Sequence, residues 1–342
     1  MKKLIYYITD HGRGHATRSV AIIRELQKLN VEVIVRNSNV KDFLIKSLPN
    51  TKVLDGITDT GPTIGNDGMS IDEEKTKLNV GKWIMKLDNI AKQECEIILK
   101  IQPNLIISDI SVMPFLAAKK IHIDSIAISN FSWFDVLKLL SNEQLELLKN
   151  AYDYADFAIQ LPVGTSMDHF KIKKNVGLVA RVPRKSRQEL RRDFGIKDSE
   201  FAVLFALGGS KKEIQCTVDK NIKILSMNST IKNNNVIDFS EWIEGQEVVS
   251  ASDLVICKCG YGMISECLTH GVPFHYIAND NHLEQKAMSK ELSNYSSAHQ
   301  ITFKEINELE LTEKYLKSLP HIKNVALDTK NVVRTILEFL TN

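Results

Sequence analysis

The chain has 342 residues, of which 43% are hydrophobic and 25% charged, and a formal net charge of +2. The length suggests two domains, and the composition is that of a globular protein rather than a disordered or fibrous one. The near-neutral charge gives no electrostatic case for nucleic acid as a partner, and no run reaches the ~20 consecutive apolar residues of a membrane-spanning helix.

Lys2 and Lys3 precede an apolar run that Thr9, Asp10 and His11 cut to a strand's length. Residues 4–8 therefore read as a buried first strand and not as a signal peptide. A Gly-containing turn, 11–15, leads to a helix over 17–29, with Val20, Ile22, Ile23, Leu26 and Leu29 at helical spacing. Residues 31–35 are β-branched and predict a second strand. Strand, turn, helix and strand in this order begin a doubly wound sheet. A helix over 84–100 leads to a strand at 105–108, ended by Asp109. A helix near 115–120 leads to a strand at 125–129, and 157–161 reads as the last strand of this half.

The second half restarts the pattern. A charged helix, 186–194, precedes a strand at 201–207 that runs into Gly208-Gly209-Ser210. Short strands are expected at 222–225 and 236–237, a buried strand at 254–257, and a helix at 262–269 closed by Gly271. A strand at 273–277, a helix at 282–292 and a last helix at 324–340 complete the chain. The segment between Ser210 and Val236 is short, so its helix–strand unit must be trimmed. Two successive α/β halves imply two Rossmann-like domains with parallel sheets facing a central cleft. The expected boundaries are 1–165 for an N-terminal domain and 178–323 for a C-terminal domain. A C-terminal helix, 324–342, is then available to pack back on the first, with a hinge near 164–180.

Cys95, Cys216, Cys257, Cys259 and Cys267 are odd in number and irregular in spacing. The C-x-C pair lacks a second pair to complete a zinc site, so buried, reduced thiols in a cytoplasmic protein are expected, with no metal.

Four segments carry candidate chemistry. The first is Asp10-His11-Gly12-Arg13-Gly14-His15, between strand one and helix one. Its glycines permit a sharp turn, and the helix start offers N–H groups to a polar ligand. Thr17 occupies the third glycine position of the dinucleotide fingerprint, which disfavours NAD. A neutral His15 can take a proton from an acceptor hydroxyl; alternatively, His11 or His15 only hydrogen-bonds the turn. The second is Gly208-Gly209-Ser210, suited to a diphosphate or to a tight turn. The third runs from Gly260 through Gly262 to Glu266, whose carboxylate can accept from ribose hydroxyls or simply favour a helix start. The fourth reaches from Gly271 to Glu284 and Gln285, an acid–amide pair able to read sugar hydroxyls or to begin a solvated helix.

In their order and spacing these segments resemble the GT-B nucleotide-sugar glycosyltransferases, especially the transferase that adds N-acetylglucosamine to the lipid-linked peptidoglycan precursor. The resemblance implies a His-ended turn at Gly12 to His15, a diphosphate loop at Gly208, Gly209 and Ser210, and a ribose-binding Glu266 after Gly260. It also implies a sugar-reading pair, Glu284 and Gln285, and a junction arginine facing the phosphates, Arg181. Residues near Trp242 and Ile243 would flank the base. The runs from His11 to Arg18 and from Ser129 to Trp133 are similar to the glycosyltransferase-like N-terminal region of plant arabinokinase-type proteins. His11, Gly12, Arg13, Gly14, Asp109 and Asn130 are accordingly expected on the acceptor side.

The implied activity is metal-independent sugar transfer, without a cofactor, from a nucleotide-diphosphate donor, UDP-sugar above others. The acceptor would be a glycan, a lipid-linked compound or a small molecule, and His15 the base. A non-hydrolysing sugar-nucleotide epimerase and a non-catalytic nucleotide-sugar-binding protein are the competing readings. Weak peripheral membrane contact is a further expectation. It rests on the basic run Arg181, Arg184, Lys185, Arg187, Arg191 and Arg192 and the apolar residues Trp133, Phe134, Val136 and Leu137; a solvated helix face plus a core segment is the plainer alternative.

Overall fold

A computed structural model describes residues 2–68, 70–208, 213–232, 235–279, 281–320 and 323–341. The chain divides into two units, one of Met1–Thr63, Ile71–Val179 and Leu327–Asn342, the other of Ile64–Ser70 and Ala180–Ala326.

In the first unit, apolar runs without alternation become inner strands of a parallel sheet, as burial on both faces requires. The strands are β1 (Lys3–Ile8), β2 (Glu32–Arg36), β3 (Lys52–Leu54), β4 (Leu105–Asp109), β5 (Ser125–Ser129), β6 (Phe157–Gln160) and β7 (Lys173–Asn175). Their order is β3-β2-β1-β4-β5-β6-β7, and every pairing is parallel. Ile5 of β1 lies opposite Ile34 on one side and Ile106 on the other. Val80, Trp83, Ile98, Phe115, Trp133 and Tyr152 belong to one buried cluster with Ile5 and Ile106. At about 1.5–3 kcal/mol for each fully buried large apolar side chain, such a cluster holds the strands in register. The strand order reverses between β1 and β4, which opens a crevice beyond their carboxyl ends.

Several boundaries differ from the sequence expectation. The first helix is Arg13–Lys28, because Gly12 alone makes the turn, at φ 84°; His15 therefore lies in the first helical turn and not in a loop. Two helices stand here, Glu73–Met85, which was not expected, and Leu87–Ile101, which answers the helix expected over 84–100. Asp72 caps the first through the Lys75 amide, and the Lys86 amide turns back to Trp83 and Ile84, so the chain bends between them. β6 is followed by β7, an edge strand whose Lys173 and Lys174 carry no apolar pattern to read. The last helix starts at Thr329, not at 324, because the Asp328 amide is spent on the Leu178 carbonyl and Leu327 bridges to Leu178.

The second unit contains β8 (Phe201–Ala206), β9 (Thr217–Val218), β10 (Ile222–Ser226), β11 (Val236–Asp238), β12 (Leu254–Lys258), β13 (Phe274–Ile277), β14 (Ala298–Gln300) and β15 (Glu310–Leu311). A parallel sheet has the order β11-β10-β8-β12-β13-β14, and β15 pairs with β9 separately. Ser186 and Glu189 form a reciprocal capping box at the start of helix Arg187–Asp193. Helix Tyr261–His270 follows β12 and ends at Gly271, and helix Leu283–Leu292 follows β13. Between β8 and β10 the described residues hold β9 and no helix.

Most of the apolar residues expected at a membrane are core, whereas much of the basic run stays exposed in surface ion pairs. Trp133, Val136 and Leu137 are buried core. In the basic run, Arg184 pairs with Glu247, Lys185 with Asp193, and Arg187 and Arg191 with Asp253. Among the described residues no helix is long and apolar enough to cross a membrane.

Candidate functional site

Each unit gathers polar side chains at the carboxyl ends of its strands, where open α/β sheets bind ligands. In the first unit the gathering point is Arg18, three residues beyond His15 and so on the same helical face. Its guanidinium is buried and forks onto Asp109 at the end of β4, Nε donating to Oδ2 at 2.7 Å and Nη2 to Oδ1 at 2.6 Å. Nη1 donates to Asn130 Oδ1 at 2.5 Å, and Nη2 also meets His15 Nδ1 at 2.8 Å. The Ser19 hydroxyl donates to Asp109 Oδ2 at 3.0 Å. Despite burial, these donors hold the Asp109 carboxyl below its ordinary range, Arg18 foremost among them. Burial, reinforced by Arg18, lowers the His15 pKa, so the imidazole is neutral.

The expected residues Asp109, Asn130 and His15 thus come together, and Arg18 is the member to which residue spacing alone assigned no role. Asp59 was missed altogether. It is buried and accepts from Thr9 Oγ1 at 2.8 Å, the Asp10 amide at 3.0 Å and Trp133 Nε1 at 2.8 Å. Burial raises its pKa to about 6. The Trp133 ring stands edge-on to His11 and to Phe131, and Phe131 stands edge-on to His15. Asp59 therefore anchors an aromatic wall that ends on the candidate base. No local pattern marks Asp59 in the sequence; it is a loop residue whose partners are remote. Gly12 and Arg13 are exposed, and Gly14 is half-buried.

In the second unit, Arg181 and Glu266 meet. Arg181 Nε donates to Glu266 Oε1 and Nη1 to the Ile243 carbonyl, each at 2.8 Å. Glu266 is 2% exposed, and burial raises its pKa against the opposing pull of Arg181. The resemblance implied adjacent parts of the donor for this pair, phosphates for Arg181 and ribose for Glu266; in the structure the two side chains form one ion pair. Gly260 caps helix Tyr261–His270, whose second residue is Gly262. Trp242 is half-exposed and stands edge-on to Phe194 and Phe239. It lines a depression of about 830 Å³ together with Leu190, Phe194, Phe239 and the Arg184–Glu247 pair.

Glu284 is buried near His282, and Gln285 Oε1 accepts from the Asn279 amide at 2.8 Å, closing the loop before the helix. Gly208 lies in the turn after β8, while Gly209 and Ser210 lie outside the described residues. Lys258 donates to the Gly68 carbonyl at 2.7 Å. The thiols of Cys257, Cys259 and Cys267 are buried, and burial pushes Cys257 up to about 12, far from a reactive thiolate.

Residues 179–338 match the model of the glycosyltransferase family 28 C-terminal domain. The chain is 27% identical to L-arabinokinase of Arabidopsis thaliana over 85% of its own length and 29% of that protein. It is 32% identical to the UDP-N-acetylglucosamine--N-acetylmuramyl-(pentapeptide) pyrophosphoryl-undecaprenol N-acetylglucosamine transferase of Caldanaerobacter subterraneus subsp. tengcongensis. That match covers 38% of this chain and 35% of the transferase. The chain thus spans about a third of the length of these curated relatives. The crystal structure of the glycosyltransferase SnogD from Streptomyces nogalater superimposes with a TM-score of 0.61 at 11% identity, covering 99% of both chains. The fold is GT-B, two α/β units each built on a parallel sheet, and the chain is similar to the GT-B glycosyltransferases. Its second half carries a glycosyltransferase family 28 C-terminal domain, and it is similar to the peptidoglycan transferase and to the arabinokinase.

Proposed function

We propose that the chain transfers a sugar from a nucleotide-diphosphate donor, most simply a UDP-sugar, to a hydroxyl acceptor, without a metal. The observation that carries this reading is the Arg181–Glu266 pair, which lies inside the segment matching the glycosyltransferase domain, beyond the carboxyl end of β12. A carboxylate buried there costs several kcal/mol unless it is partnered, and Arg181 Nε donates to Oε1. Oε2 is the atom to accept from a ribose hydroxyl. Arg181 steadies the carboxylate and brings positive charge toward the donor, where negative charge grows on the departing diphosphate. Trp242, beside the open depression, is suited to flank the base. Gly208, Gly209 and Ser210 would take the diphosphate, and Glu284 with Gln285 the sugar.

At the first unit, the acceptor hydroxyl would lose its proton to His15, with Asp109 supporting the ring. The transferase of Caldanaerobacter is named for an undecaprenol-linked acceptor, and a lipid-linked or small hydroxyl compound is the acceptor class proposed here. A nucleotide-sugar-binding protein without turnover is the second reading. It is favoured by the burial of His15, 7% exposed, and by the contact of its Nδ1 with Arg18.

The test is calorimetric titration of UDP, TDP, GDP and ADP into wild type, Glu266→Ala and Glu266→Gln. Binding of one nucleotide, lost in both variants with folding verified by circular dichroism, supports the donor site and identifies the base. Failure of every nucleotide to bind the wild type would remove the reading. Turnover lost in His15→Ala with nucleotide binding retained separates the transferase from the binding protein.

A further inference from the structure

The contact between Arg18 and His15 decides which ring nitrogen carries the proton. A guanidinium has only N–H donors and stays protonated. Arg18 Nη2 lies 2.6 Å from Asp109 Oδ1, 2.8 Å from His15 Nδ1 and 3.4 Å from Ser129 Oγ, so its two N–H bonds go to the two short contacts, with Ser129 a longer third. A proton on Nδ1 would set two N–H donors against each other across 2.8 Å. The competing acceptor for such a proton, Asp109 Oδ1, is 3.3 Å from Nδ1 and already receives the Arg18 hydrogen bond. The cation itself is fixed, with Asp109 taking both its Nε and its Nη2 and Asn130 its Nη1. Its side chain and that of Asp109 are both fully buried, which leaves water no access to loosen the fork.

We propose that Arg18 is a positioning residue that locks ligand-free His15 in the tautomer with its proton on Nε2, so that the ring presents a donor and not a base. This rests on the reading of His15 as the group that meets the acceptor. For His15 to accept a proton at Nε2, the Nε2 proton must leave to solvent and another must arrive at Nδ1, where Asp109 Oδ1 replaces Arg18 as its partner. The exchange conserves protons and charge. Until it occurs, His15 cannot deprotonate a water molecule, and a bound donor is protected from hydrolysis by this group.

The experiment is two-bond ¹⁵N–¹H correlation spectroscopy of ¹⁵N-histidine-labelled protein near neutral pH, with His15 assigned by its loss in His15→Gln. The expected result is a protonated, pyrrole-type Nε2 and an unprotonated Nδ1 in wild type, with the pattern reversed in Arg18→Met and kept in Arg18→Lys. A proton on Nδ1 of the wild type, on both nitrogens, or an unchanged tautomer in a folded Arg18→Met overturns the proposal. Should Arg18→Met not fold, the wild-type spectrum with Arg18→Lys decides. The spectra require no substrate, so their outcome is separate from that of the nucleotide titration, which tests the transferase reading.

Discussion

Arg181 and Glu266, 85 residues apart in the chain, meet as a buried ion pair with Nε 2.8 Å from Oε1. Neither side chain is more than 3% exposed. Removing one partner leaves the other charge buried and alone, which costs about 3–5 kcal/mol. Glu266→Ala and Arg181→Met are each expected to lower unfolding free energy by about that amount, read from urea denaturation. A double variant that loses less than the sum of the single losses confirms that the two act as a pair.

Asp59 imposes a specific pH dependence on stability. Its pKa is about 6 in the folded protein against an ordinary 3.8, because burial disfavours the charge. The folded state therefore binds the proton more tightly than the unfolded chain, and stability falls as pH rises from about 4 to about 6, then levels. The gap corresponds to roughly 3 kcal/mol. Denaturation of wild type and Asp59→Asn across this range is expected to show the decline in the first and its absence in the second. Asp109, held low by Arg18, acts in the opposite sense and only below its ordinary range, where stability is lost as pH falls.

Gly164 touches the first-unit site through backbone. A Cβ there would lie 1.8 Å from the Asn130 carbonyl oxygen, which also accepts the Thr165 amide at 2.8 Å. Gly164→Ala must displace that carbonyl, at a cost of about 1–3 kcal/mol or more, and shift the Asn130 side chain away from Arg18. A lowered melting temperature together with altered resonances for Arg18 and His15 is the expected result.

Gly260 is the contrasting case. A Cβ there meets nothing within 4 Å, so Gly260→Ala is expected to change stability by no more than about 0.5–1 kcal/mol. If a nucleotide approaches this turn, the added methyl group occupies ligand space, and affinity drops at least about tenfold, a loss near 1.4 kcal/mol. Unchanged affinity would place the ligand elsewhere.

Much of the framework was readable because buried parallel strands are continuous apolar runs. Residues around Ile5, Ile107, Ile126, Leu204 and Ile256 announced β1, β4, β5, β8 and β12 without any partner information. β7 escaped because an edge strand such as Lys173–Asn175 is recognised by the strand it pairs with and not by its own side chains. The break at Lys86 escaped because Ile84 and Leu87, one on each side of it, are both core residues, and their spacing reads as one helix.

The chemistry divides in the same way. Glycine turns after strands, His15 and Glu266 stand out in a linear reading because backbone freedom and helix position are local properties. Short-range sequence also placed Arg18 three residues from His15, on the same side of a helix. What it could not supply was the direction of charge and proton. Asp109, Asn130 and Asp59 reach their partners across 91, 112 and 74 residues. Only the sheet order, with β1 between β2 and β4, brings the ends of those segments together. Sequence alone determined two α/β halves and the residue types at the ends of their strands. The tertiary structure decided that Arg181 belongs to Glu266, that Asp59 carries the Trp133 wall, and that His15 Nδ1 faces a donor, because hydrogen bonds and desolvation act through space and not along the chain.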